Sequence, residues 1–219
     1  MSIVDKIKEH RNNVPKELEG IDELDSTTKD YMLYKFLKDN LNDYPYLLEE
    51  LPVYFMEEIL INEINSYNFE RYFTDNVIKK LNEGTGKLRT ILLNHIEYAN
   101  LIPKLTTEKN YMPSSIYFNN EEKWVSISKY LALFQSRYGK KELISFLNSF
   151  NDRNSCENLF KEMEDSDFFY NALFDDDDII ELVKGNFGKN LNNDSFSKLI
   201  SKMSSLDNPN KYMNLLLDN

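Results

Sequence analysis

Tyr31-Met32-Leu33-Tyr34-Lys35-Phe36-Leu37-Lys38-Asp39-Asn40-Leu41 is the stretch that decides the fold class. Tyr31, Tyr34, Leu37 and Leu41 recur at spacings of three and four, so they share one face of a helix. Ser26 or Thr27 is the expected N-cap. Downstream the same period returns at Phe55, Ile59 and Asn62, with Pro52 suited to a first turn. It returns again at Leu88, Ile91, Leu92, His95 and Ala99, a helix expected to start near Thr85 and stop near Pro103. Residues 104–119 lose the period and contain Pro113, Ser114 and Ser115, so a loop is expected there. Asn120 should cap a helix over Glu121–Tyr138, with Gly139 as its stop. Shorter helices follow near 141–150, 155–164, 166–173, 177–185, 194–204 and 209–217. Ser115-Ile116-Tyr117-Phe118 is the best strand pattern. The expectation is an all-α chain of roughly ten helices.

Composition sets outer limits on function. The chain has 219 residues with 41% hydrophobic and 29% charged residues, enough to bury a core. No apolar run has signal-peptide or spanning length, so a soluble cytoplasmic protein with no membrane partner is expected. The lone Cys156 excludes an internal disulfide and a cysteine zinc site. His10 and His95 are the only histidines, and they form no metal-binding spacing. Glu83-Gly84-Thr85-Gly86-Lys87-Leu88 fails as a phosphate loop: Leu81 stands where a glycine is required and Leu88 where a hydroxyl is. No nucleophile–base arrangement appears. Asp175-Asp176-Asp177-Asp178 with Glu181 lacks the glycine and ligand alternation of a calcium loop. The reading is a non-enzyme with no cofactor and no metal site.

Charge is unevenly distributed. The formal net charge is -11. Residues 39–70 hold eight acids and no base, and residues 152–182 hold eleven acids against Arg153 and Lys161. On a helical rise this is about one carboxylate per 4–6 Å, against one phosphate per ~1.7 Å of duplex DNA. Such a chain repels nucleic acid and attracts basic proteins.

Asn65, Phe69, Tyr72, Phe73 and Asn76, within Ile64–Asn76, match the order and spacing of the signature of the DNA-mimic-protein-19 family (domain of unknown function 4375). Tyr67-Asn68 stands where that signature has a glycine pair, and Asn68 is suited to a left-handed position. The stretch Phe160–Tyr170 resembles the family's acidic C-terminal element and is likewise followed by a short apolar helix at Ile179–Val183. The resemblance covers residues 45–185 and implies an all-α fold and a binding role. It divides the chain into an N-terminal helical segment (1–44), the DNA-mimic-like domain (45–185) and a C-terminal helical extension (186–219). Independently of the resemblance, Phe69, Tyr72 and Phe73 form one apolar face. Asn65 and Asn76 are expected to cap or bond the backbone.

The functional expectation is an acidic inhibitor that occupies a basic surface of a partner, including the DNA-binding surface of a regulator. The alternative is an immunity or counter-defence protein that neutralises a toxin or nuclease. The carboxylates expected to dock are Glu49, Glu50, Glu57, Glu58, Glu63, Asp165, Asp167, Asp175, Asp176, Asp177 and Asp178. Assembly as a homodimer is compatible with this reading.

Overall fold

A computed structural model describes residues 2–106, 110–118, 122–171 and 174–202. The fold is all-α, with one small antiparallel hairpin. The chain forms two compact units, residues 1–88 and 89–219. The boundaries expected at 44/45 and 185/186 do not coincide with that division. Among the described residues, no helix is long and apolar enough to cross a membrane.

The first unit contains α1 (Ile3–His10), α2 (Ser26–Asn40), α3 (Val53–Asn62), α4 (Asp75–Leu81) and the start of α5 (Lys87–Leu92). Leu33, Tyr34, Phe36 and Leu37 form the buried face of α2, while Tyr31 at the end of the predicted stripe is exposed. The cap of α2 is Asp25, one residue earlier than expected. Its Oδ1 accepts the Thr28 N–H at 3.1 Å and its Oδ2 the Thr28 hydroxyl at 2.6 Å. A carboxylate with two good acceptors outcompetes the adjacent hydroxyls for this role. Asp22 serves α1 from outside its own helix. It accepts from the N–H groups of Ile3 (3.0 Å) and Val4 (2.9 Å) and from the Lys29 ammonium (2.6 Å).

Burial alone would raise the pKa of Asp22, but Lys29 and the two amides outweigh it and take the carboxyl down to about 2. A folded pKa below the unfolded one means stability that is complete above about pH 4 and lost as pH falls toward 2. Asp22→Asn is therefore expected to lower stability at neutral pH and to flatten the loss on acidification. Urea midpoints measured from pH 2 to 7 check both features; an unchanged acid limb would refute the assignment.

The second unit begins within α5 and continues through a 3-10 run, Ile96–Lys104. The single helix expected between Thr85 and Pro103 is therefore two pieces, separated by turns at Asn94 and His95. Strands β1 (Ser115–Phe118) and β2 (Lys123–Ser126) pair with Ile116 opposite Val125. β2 corrects the expected helix over Glu121–Tyr138. Trp124 is exposed and Val125 buried, an alternation that suits a strand, and Ile116 and Val125 are both buried. The helix starts only at α6 (Ile127–Tyr138), where the Ser126 hydroxyl accepts the Lys129 N–H. Asn120, the expected cap, lies outside the described residues. Gly139 ends α6 at φ 89°.

Helices α7 (Lys140–Asn148), α8 (Arg153–Asp165), α9 (Phe168–Asn171), α10 (Asp176–Lys184), α11 (Asn186–Lys189) and α12 (Asn193–Ser201) follow. The helix expected at 209–217 lies outside the described residues. Phe146 on α7 is central to the core, with ring centroids 4.6 Å from Phe134, 5.1 Å from Phe150 and 5.8 Å from Tyr130. α11 folds back closely on α10. A Cβ at Gly188 would lie 2.5 Å from the Val183 carbonyl oxygen and 2.7 Å from that of Leu182.

Candidate functional site

The expected docking carboxylates fall into two groups, one in each unit. In the first unit, Lys6 on α1 pairs with both Glu49 (2.7 Å) and Glu50. Asn76 donates to the other oxygen of Glu49 at 2.8 Å. Burial would raise the Glu49 carboxyl, but Lys6 and Asn76 prevail and hold it below the usual glutamate range. Asn76 therefore bonds a side chain, where a backbone role was expected. Glu58 is exposed and accepts the Tyr34 hydroxyl. Glu63 is half-buried at the C-cap of α3.

Glu57 does not belong to a docking surface. It is 5% exposed. Its Oε2 accepts the Thr85 hydroxyl at 3.0 Å and its Oε1 the Leu88 N–H at 3.3 Å. A carboxylate at the first turn of α5 satisfies an otherwise orphaned donor and complements the helix dipole. Thr85, the expected cap of α5, contributes by holding this carboxylate.

The motif aromatics are structural. Asn68 is left-handed, with φ 63° and ψ 37°. It introduces a 3-10 turn, Phe69–Tyr72, that buries Phe69 and Tyr72 and sets Phe73 edge-on to Phe69 at 5.1 Å. Asn65 is exposed.

In the second unit, the four aspartates begin α10. The helix expected over 177–185 starts at Asp176. Asp175 caps it, and Asp175 and Asp178 each accept the other's N–H, at 3.1 and 2.8 Å, in a capping box. Lys140 pairs with both, at 2.9 and 2.5 Å, and holds the Asp175 carboxyl below the usual range. The mutual repulsion of four carboxylates is thus offset by the helix dipole and by one lysine. Asp177 projects as an exposed residue and Asp176 is half-buried.

The C-terminal end of α8 is different. Its last residues include Glu162, Glu164 and Asp165, with no base in the last turn. Lys198 and Lys202 approach Glu164 at 3.7 and 3.6 Å. Asp165 and Asp167 are exposed and form no ion pair among the described residues. Asp167 follows the C-cap with φ 53°, and its N–H donates to the Glu164 carbonyl. Glycine or asparagine is the favoured type at such a position.

Cys156 and the two histidines are each buried or in contact with a neighbouring side chain. Cys156 is fully buried, and burial pushes its thiol up to about 12, so it carries no thiolate at neutral pH. His10 stacks on Tyr46 at 3.9 Å, and His95 is buried with Nδ1 3.4 Å from Glu97. Among the described residues, no group of three or more His, Cys, Asp and Glu side chains is placed to hold a metal. Sequence reasoning missed the role of Lys6, which lies 43 residues from Glu49; no local spacing signals a contact at that range. Comparison with protein-family models, curated proteins and solved structures finds no match to this chain.

Proposed function

We propose that the protein is an acidic cytoplasmic inhibitor that docks on a basic surface of a partner protein, in the manner of a DNA mimic. The observation that carries this reading is the end of α8. A negative charge at a helix C-terminus opposes the helix dipole, at a cost of about 0.3–1 kcal/mol per residue. Asp165 and Asp167 incur this without a compensating lysine, and Asp167 stands where asparagine would fit the backbone better. Carboxylates kept where they weaken their own helix suit a role outside it, and a cationic partner surface would relieve the conflict. Asp177 and Glu181 on α10 are further exposed carboxylates without an ion pair among the described residues. Glu49, Glu50, Asp175 and Asp178 are engaged within the protein, so their contribution is to the overall field.

The test separates stability from binding. The double variant Asp165→Asn/Asp167→Asn is expected to raise Tm by about 1–8 °C. In affinity capture from the native host, basic proteins that elute as salt rises should be retained less by the variant. A DNA duplex added as competitor should displace the same proteins. Equal retention of those proteins by variant and wild type, or indifference to DNA, would overturn the proposal. Recovery of a regulator would fit DNA mimicry, and recovery of a toxin or nuclease would fit immunity.

A further inference from the structure

The first unit contains a cleft of about 280 Å³ whose walls include Tyr46, Glu49, Arg71, Tyr72, Thr74 and Asn76. Its chemistry is unlike that of the acidic surface, because it presents charges of both signs. The Arg71 guanidinium lies 4.9 Å from the Tyr72 ring centroid. All its hydrogen bonds leave from Nη2, to the Asn42 side chain, the Asn42 carbonyl (3.4 Å) and the Tyr72 hydroxyl (3.1 Å). The Tyr72 hydroxyl in turn donates to Asn42 Oδ1 at 2.9 Å. Arg71 is thus fixed by neutral groups, pairs with no carboxylate among the described residues, and keeps Nε and Nη1, which share no edge of the guanidinium, for single hydrogen bonds to an incoming acceptor. Such a bond to a carboxylate is charge-assisted.

Tyr46 forms part of the wall, its ring stacked on His10 and its hydroxyl shielded from solvent. Glu49 supplies the negative wall. Its two oxygens each accept one bond, from Lys6 and from Asn76. A carboxylate has about four acceptor positions, so Glu49 retains capacity for a cationic donor.

We infer that this cleft binds a small zwitterion of amino-acid size, its carboxylate on Arg71 and its ammonium on Glu49. Size supports the assignment, since the cleft, at about 280 Å³, lies just below the roughly 300–1,000 Å³ found for drug-sized ligands. Charge supports it as well. A phosphate dianion would be drawn to Arg71 but repelled by Glu49, whereas a zwitterion satisfies both walls.

The test uses the full chain in a buffer free of amines and carboxylates, with a panel of neutral, acidic and basic amino acids. At least one is expected to raise Tm by about 3–6 °C at ten times its Kd. Acetate and methylamine, each presenting half of the ligand, should do neither at the same concentration. Arg71→Gln, which removes the positive charge, and Glu49→Gln should each weaken binding at least tenfold by calorimetry. Their folding is checked by circular dichroism. If no amino acid on the panel raises Tm, the inference fails. It fails equally if acetate alone matches the zwitterion, or if both folded variants bind like wild type.

Discussion

Phe146→Ala should destabilise the protein by about 3–5 kcal/mol, the range for removing a large ring from a packed core. Phe146 is fully buried, and its ring neighbours Tyr130, Phe134 and Phe150 are equally inaccessible to solvent. With Phe146, these side chains come from two consecutive helices, α6 and α7, and the turn after α7. Truncation therefore leaves a void between elements that cannot close without moving a helix, and the lost contacts add to the lost hydrophobic transfer. Phe146→Leu refills most of that space and should cost markedly less. Equilibrium urea unfolding of both variants gives the comparison. A loss below about 1.5 kcal/mol for the alanine variant would mean that the cluster collapses around the gap.

Glu57→Ala is the second large effect, expected at about 2–4 kcal/mol. It deprives the Thr85 hydroxyl and the Leu88 N–H of their acceptor in a buried setting, and each unsatisfied donor costs about 1–3 kcal/mol. Glu57→Gln keeps one acceptor oxygen and should lie between wild type and alanine. Thr85→Ala in the Glu57→Ala background should cost less than it does alone, because the hydroxyl has then already lost its acceptor. Denaturant midpoints of the four proteins measure this coupling. Additive losses would show that Thr85 and Glu57 act separately. The amount of salt-eluted partner bound per folded molecule should be the same for Glu57→Gln as for wild type, which separates this framework carboxylate from the docking set.

Much of the architecture was legible because helical periodicity is a local property. The face containing Tyr34 and Leu37, the stop at Gly139 and the fourfold aspartate helix all follow from residues a few positions apart. Ser115–Phe118 was legible as a strand for the same reason. Its partner at Lys123–Ser126 was not, because Trp124 and Val125 extend smoothly into the pattern of α6, and only pairing with Ile116 distinguishes strand from helix. The carboxylates show a sharper limit. Composition gives their number but not their engagement. Glu57 looks like Glu58 in the sequence, yet the helical rotation between neighbours puts one beneath α5 and leaves the other at the surface. Lys6 and Asn76 claim Glu49 through contacts 43 and 27 residues distant. The Arg71 cleft was equally hidden. Its walls come from Tyr46, Glu49, the turn after Asn68 and the start of α4, and no linear motif joins them.

The close approach at Gly188 bears on how kin of this chain could be found. Surface acids are interchangeable over evolutionary time, since aspartate and glutamate at shifted positions can generate the same field. Position 188 has no such latitude while α11 turns back against the carbonyls of Leu182 and Val183. A search profile anchored on that glycine, its distance from the aspartate-capped helix and the aromatic residue just before it would therefore reach more remote ancestry than one built on acidity.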